Sequence, residues 1–183
     1  MSGNEIAVKC SGITKTFGGV VANDDINLEV KYGEILALLG ENGSGKTTLM
    51  NMLSGIYHPD KGTIAISGKT VAINSPKDSI ALGIGMIHQH FKLVEVFTAA
   101  DNIVAGTKGS LKGKGAVRDE INKISEQLGL EVDPDKKVYN MSVSEKQTVE
   151  ILKVLYRGAK ILILDEPTAV LTPQETEKLF AIL

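Results

Sequence analysis

The chain has 183 residues, of which 43% are hydrophobic and 23% charged, and its formal net charge is −2. That length suits one domain with a subdomain, and the composition is that of an ordinary globular protein. The charge offers no global field for nucleic acid or anionic lipid, no apolar stretch is long enough to span a bilayer, and the N-terminus lacks a signal-peptide pattern. A single cysteine, Cys10, excludes an internal disulfide framework and suits a reducing compartment, most simply the cytosol; it reads as a small buried hydrophobe rather than a reactive thiol.

The first thirty residues have the pattern of β structure. Ile6, Val8 and Cys10 alternate, as do Ile26, Leu28 and Val30, and Gly18-Gly19 and Asn23-Asp24-Asp25 supply turn chemistry between them. Ile35-Leu36-Ala37-Leu38-Leu39 is a continuous apolar run of strand length, as expected of a strand buried on both faces. Directly after it, residues 40–48 read GENGSGKTT and fit G-x-x-x-x-G-K-[ST], with Gly40, Gly45, Lys46 and Thr47 at the fixed positions.

The chemistry behind that spacing is concrete. Glycines let the backbone curl until successive N–H groups converge into an anion-binding nest, and the following helix adds the positive end of its dipole. Lys46 reaches the β- and γ-phosphates, and the Thr47 hydroxyl ligates Mg²⁺. Gly40, Glu41, Asn42, Gly43, Ser44, Gly45, Lys46, Thr47 and Thr48 are therefore the candidate nucleotide contacts. Leu49, Met50, Met52 and Leu53 recur at helical spacing, and Gly55 stands where the helix stops. Strand, glycine loop and helix make the setting a nucleoside triphosphate site requires.

Further along, Thr63–Ile66 and Val71–Ile73 flank Ser67-Gly68-Lys69, a hairpin pattern. Ser75-Pro76 opens a helix to about Leu82, and Gly85–His88 reads as a short buried strand ending at Gln89. The basic, glycine-rich stretch 108–115 is the closest thing to a linker. From Thr98 to Arg157 the pattern is helical, with Val117, Ile121, Ile124 and Leu128 on one face and Gly129 terminating it. Ser142-Val143-Ser144-Glu145 is a capping box opening a helix with Val149, Leu152, Leu155 and Tyr156 on its apolar face.

Ile161–Leu164 is a second fully apolar strand, ending in Asp165-Glu166, and Thr172–Glu175 is a capping box for a last helix. A buried parallel strand delivers its C-terminal residues to the crevice where ligands collect. Beside a phosphate loop, Asp165 is placed to hold Mg²⁺ and Glu166 to orient or deprotonate the attacking water. The expected fold is α/β: a P-loop core of mainly parallel sheet with flanking helices and an N-terminal antiparallel part, plus a helical subdomain. The expected divisions are 1–90, the β part and phosphate-loop core; 91–157, the helical subdomain; and 158–183, the return to the core.

Taken in order, Gly40–Thr48, Gln89, Met141–Glu145 and Ile161–Glu166 resemble the ATP-binding-cassette (ABC) transporter ATPases, and the resemblance covers nearly the whole chain. Within that superfamily, Gly85–Gly106 and Tyr156–Glu175 look like the ATPases of bacterial importers for nucleosides and simple sugars. The resemblance implies an ATP-hydrolysing function with ATP and Mg²⁺ as cofactors. By the same likeness Phe17 stacks on adenine, while Gln89 touches Mg²⁺ and the attacking water. Ser142, Val143, Ser144 and Glu145 form the signature that faces the γ-phosphate held by a partner cassette. The catalytic set is then Glu166, Lys46 and Gln89, and the metal set Thr47, Gln89 and Asp165.

Implied partners are a second cassette, in tandem or as a dimer, and membrane-spanning permease subunits. A solute-binding protein would act indirectly, and no nucleic acid is implied. The implied place is the cytoplasmic face of the cell membrane, held there through those subunits. Three departures from the family pattern stand out. Ser144 replaces the usual glycine and Thr148 a usual basic residue; Ala169–Thr172 lacks a closing aspartate; and the family's further strand with its histidine would lie past Leu183. None of His58, His88 or His90 can serve, and the latter two read as surface or loop residues. The chain is thus expected to be an incomplete cassette, the first of a tandem pair. Alternatives are a non-transport ATPase of this superfamily, or a nucleotide-binding fragment with little hydrolysis of its own.

Overall fold

The computed structural model describes residues 5–88, 91–107, 113–166 and 180. The chain divides into two compact units, Met1–Ile84 and Gly85–Leu183.

In the first unit, strands β1 (Ile6–Phe17) and β2 (Val20–Lys31) form a long antiparallel hairpin closed by Gly18-Gly19. β3 (Lys61–Ile66) pairs with the other edge of β1, and β4 (Lys69–Val71) with β3, in the order β2-β1-β3-β4. The turn Ser67-Gly68 has both φ angles positive, 50° and 75°, as a two-residue hairpin turn demands. Helix α1 (Lys46–Leu53) ends at Ser54 with Gly55 at φ 77°. Helix α2 (Pro76–Ala81) is capped by Ser75, whose Oγ accepts from the Asp78 N–H. Its buried Ser79 donates to the Leu53 carbonyl at 2.9 Å, tying the end of α1 to α2.

The core of this unit is built from Val8, Cys10, Ile13, Leu49, Met52, Ile64 and Ile66. Cys10 is 1% exposed, and burial pushes its thiol up to about 11. It is a core hydrophobe, as its place in the alternation suggests.

Two expectations need correction here. Asn23-Asp24-Asp25 does not turn the chain; it lies within β2, where the ladder loses register and Asp25 adopts φ 48°. A bulge uses the same residue chemistry as a turn, so the pattern could not separate them. Ile35–Leu39 forms no strand among the described residues. Leu39 is 91% and Ile35 59% exposed. An apolar run reads as a buried strand only where neighbours pair with its edges and cover its faces, and the described residues supply neither.

In the second unit, β5 (Ile84–Ile87), which starts at the boundary, pairs with β6 (Ile161–Leu164) in a small parallel sheet. Around it lie α3 (Ala99–Val104), α4 (Lys114–Gln127) and α5 (Val143–Tyr156), with a 3-10 turn at Val138–Asn140. The glycine-rich stretch at 108–115 is therefore helical from Lys114 on; its earlier part lies outside the described residues. The core joins Ile103 of α3, Val117 and Ile121 of α4, and Val149 and Leu152 of α5 with Ile87 and Val138. The α/β class and the helical subdomain are as expected. The capping box at Thr172–Glu175 lies outside the described residues. Among the described residues no helix is long and apolar enough to cross a membrane.

Candidate functional site

α1 begins with Gly45 as its N-cap, and it has neither a capping side chain nor an acidic residue in its first turn. Its first N–H groups and the positive end of its dipole are left for an outside anion. The loop in front depends on glycine. Gly43 and Gly45 have φ of 85° and 87°, and a Cβ on Gly45 would stand 2.2 Å from the Ala22 carbonyl oxygen and 2.8 Å from Asn23 Nδ2. A Cβ on Gly40 would stand 2.7 Å from Ser44 Oγ.

Strand β2 braces this loop. Asn23, only 6% exposed, donates from Nδ2 to the Gly45 carbonyl at 3.3 Å. Its Oδ1 is buried without a hydrogen-bond partner among the described residues. Lys46 curls back on the loop: its ammonium donates to the carbonyls of Gly40 and Glu41 at 2.7 and 2.8 Å, and to Ser44 Oγ at 3.3 Å. Neutral oxygens are weak partners for an ammonium, and an entering phosphate offers a stronger, charge-assisted one. Glu41, Asn42, Gly43, Ser44 and Thr47 are exposed and Thr48 half-buried, so the loop and the Thr47 hydroxyl are open to a ligand. An uncapped helix, a glycine loop with no room for a side chain at Gly45 and a cation at its mouth together fit a nucleotide's phosphates.

Phe17 ends β1 and is 42% exposed. It pairs with Val20, while Lys15 pairs with Asn23. Asn23 touches the loop, so the position paired with Phe17 lies three residues along β2 from it, about 10 Å at roughly 3.3 Å per residue. That is the order of the separation between base and phosphates in an extended nucleotide.

In the second unit, the Asp165 N–H donates to the Ile87 carbonyl at 3.1 Å, continuing the β5–β6 pairing to the residue expected to hold Mg²⁺. Asp165 is half-buried and Glu166 exposed. Glu166 has φ 49°, a left-handed conformation that costs a non-glycine residue on the order of 1–3 kcal/mol. Such strain persists where the surroundings dictate it, commonly at functional sites. Gln89 and His90 lie outside the described residues. His88 is half-buried, and His58 is exposed with Nδ1 3.1 Å from the Ile73 carbonyl.

The Ser142–Glu145 motif forms the N-terminus of α5. Ser142 Oγ accepts from the Glu145 N–H at 3.2 Å, and the Ser142 N–H donates to Glu145 Oε2 at 2.8 Å. Lys136 donates to Glu145 Oε1 at 2.6 Å. The Lys136 hydrogen bond first, and then the Ser142 N–H, hold the Glu145 carboxyl below the usual carboxylate range. Val143 is 43% exposed. Ser144 and Thr148, both departures from the expected signature, are linked: the Thr148 hydroxyl donates to the Ser144 carbonyl at 3.1 Å.

Several residues that the sequence did not single out serve these segments. Glu150, 4% exposed on α5, accepts from the Lys92 N–H at 2.6 Å and from the Lys153 ammonium at 3.4 Å. Buried Asn102 accepts from the Val94 N–H at 2.7 Å and donates to the Val94 carbonyl at 3.1 Å. Together they pin the chain a few residues past Gln89 to α5 and α3. An acid inside the run Val149–Leu152 was the available signal for Glu150.

Comparison with known proteins bears on this arrangement. The family model described as "ABC transporter" matches residues 23–169. The nucleoside import ATP-binding protein NupA of Lactococcus lactis subsp. cremoris is 52% identical over 183 residues, which cover 98% of this chain and 36% of that protein. The ribose import ATP-binding protein RbsA 1 of Streptomyces avermitilis is 43% identical over 186 residues, covering 100% of this chain and again 36% of the relative. The chain thus spans about a third of the length of these relatives. Among solved structures, CbiO1 from Clostridium perfringens, part of the ABC transporter complex CbiONQ, superposes with a TM-score of 0.83 at 29% identity over 97% of this chain and 72% of that one.

Proposed function

The chain belongs to the ABC transporter family, and from that premise we propose that it is the ATP-binding and ATP-hydrolysing cassette of an importer for a nucleoside or a simple sugar. The observation that carries the nucleotide reading is the phosphate loop itself, where the Lys46 ammonium rests on Gly40, Glu41 and Ser44 oxygens at the mouth of an uncapped helix. The names of the relatives support the import role and the class of solute.

In this reading the triphosphate lies across the N–H groups of residues 43–48, with Lys46 moving from the loop carbonyls to the β- and γ-phosphate oxygens. Phe17 stacks on the base. Thr47, Asp165 and Gln89 would hold Mg²⁺, which would supply positive charge to the phosphoryl oxygens. Glu166 holds the attacking water in line with the γ-phosphate and accepts its proton. Ser142, at the start of α5, presents its helix N-terminus to the γ-phosphate of a second cassette. ATP then lies between two cassettes, and permease subunits place the pair at the cytoplasmic face of the membrane.

A test at the level of the cell replaces Lys46 with Ala in the gene and measures uptake of radiolabelled nucleosides and ribose. The reading expects uptake of one class to be lost and growth on unrelated carbon sources to be kept. Unchanged uptake of both classes would contradict it. A second reading, nucleotide binding with little turnover by the 183-residue chain alone, is favoured by the exposed run Ile35–Leu39, which forms no strand in front of the phosphate loop among the described residues.

A further inference from the structure

The phosphate loop is only one end of the first unit's ligand surface; at the other, Phe17 is held by a small cluster. Its ring meets Tyr57 edge-on, with centroids 5.1 Å apart and planes at 69°. Lys15 Nζ lies over the Phe17 ring, 5.4 Å from its centroid. Lys15 is in turn fixed by Asp60 at 2.8 Å. Asp60 also accepts from the Thr16 N–H at 2.7 Å, and its own N–H donates to the Thr14 carbonyl at 2.8 Å. Tyr57 is placed by the end of α1: the N–H groups of Ile56 and Tyr57 both donate to the Asn51 carbonyl, at 2.9 and 3.1 Å. Gly55 makes the bend.

This cluster is not core packing. Phe17 stays 42% and Tyr57 36% exposed, whereas a pair serving the core would be covered. Edge-to-face geometry and a cation over the ring each help to fix the plane of an aromatic at a strand end. The helix whose N-terminus seats the phosphates is also the helix whose C-terminal turn delivers Tyr57. One rigid element of eight residues therefore connects the phosphate seat to the orientation of the base platform.

Resting on the nucleotide reading above, we infer that Tyr57 is a positioning residue for the base: its ring, together with the Lys15 ammonium over Phe17, holds Phe17 in the plane that stacks on the nucleobase. The contribution comes from the ring rather than the hydroxyl. It acts on the base and not on the phosphates.

The test measures equilibrium binding of ATP and of inorganic triphosphate to the full 183-residue chain. It compares wild type with Phe17→Ala, Tyr57→Ala, Tyr57→Leu, Tyr57→Phe and the double Phe17→Ala/Tyr57→Ala variant. Tyr57→Ala and Tyr57→Leu are expected to weaken ATP binding about three- to tenfold while leaving triphosphate binding unchanged. Tyr57→Phe is expected to restore ATP binding, and the double variant to match Phe17→Ala alone. Tyr57→Leu keeps apolar bulk, so a folding defect confined to Tyr57→Ala does not blur the outcome. Equal losses for ATP and triphosphate, or additive effects in the double variant, would overturn the role of Tyr57 while the nucleotide site stands. Wild type binding neither ligand would overturn that role together with the nucleotide reading.

Discussion

Gly45 shows how tightly a single position can be constrained. A methyl group there meets the Ala22 carbonyl at 2.2 Å, and φ is 87°. Gly45→Ala is expected to cost on the order of 2–4 kcal/mol of stability and to abolish ATP binding, measured by denaturant unfolding and by titration. Glu166 is constrained differently, by a left-handed backbone on an exposed residue. Glu166→Gln keeps the shape and hydrogen-bonding size of the side chain but removes its basicity, so ATP binding should persist and hydrolysis disappear. A variant that hydrolyses ATP at the wild-type rate would remove Glu166 from the mechanism. Cys10 gives a third check. With its thiol raised to about 11 by burial, the neutral form is the folded one, so its stabilising share is kept below the ordinary thiol value and lost as pH rises towards 11. Alkylation at pH about 8 should be far slower in the native protein than in denaturant; equal rates would mean that β1 is not packed as described.

At the scale of elements, α5 draws on both its cap and its buried acid. Ser142→Ala removes the acceptor for the Glu145 N–H and should cost about 1 kcal/mol. Glu145 is held below the usual carboxylate range by Lys136 and the Ser142 N–H. Its share of stability is therefore present above the unfolded carboxylate value and lost as pH falls through the lowered folded one. The difference between wild type and Glu145→Gln in urea unfolding should accordingly shrink in acid, and a constant difference would contradict the pairing. Glu150→Ala leaves the Lys92 N–H without its acceptor and the Lys153 ammonium with the Lys92 carbonyl alone, and should cost about 2–3 kcal/mol. The sequence made much of this scale readable, because caps and periodicity are local. The capping box at Ser142–Glu145, the Ser75-Pro76 start of α2 and the Ser67-Gly68 turn all lie within a few residues of the partners that form them. Ile35–Leu39 does not form the strand its pattern predicts, because burial of a strand is decided by neighbours distant in sequence. Asn23-Asp24-Asp25 bulges within β2 where its pattern predicts a turn, because bulge and turn share a residue chemistry. Glu150 and Asn102 escaped notice because their partners, at 92 and 94, are backbone groups of a segment with no pattern of its own.

For the molecule as a whole, the phosphate loop was legible at once, since its glycines, lysine and threonine are prescribed by the geometry of a phosphate seat. The aromatic end of that surface was less so: Phe17 came from resemblance, and its companions Tyr57, Lys15 and Asp60 only from the fold, which brings a strand end and a helix end together. Both ends lie in the first unit, and β2 links them through Asn23 and Gly45. The claim on which the rest depends is that this surface binds a nucleoside triphosphate by its phosphates. The direct measurement is an equilibrium titration of the chain with ATP in the presence of Mg²⁺, beside the Lys46→Ala variant shown by circular dichroism to be folded. One ATP is expected to bind per chain, with a loss of affinity of about tenfold or more in the variant. Equal affinity in the two proteins, or no binding by the wild-type chain, would contradict it.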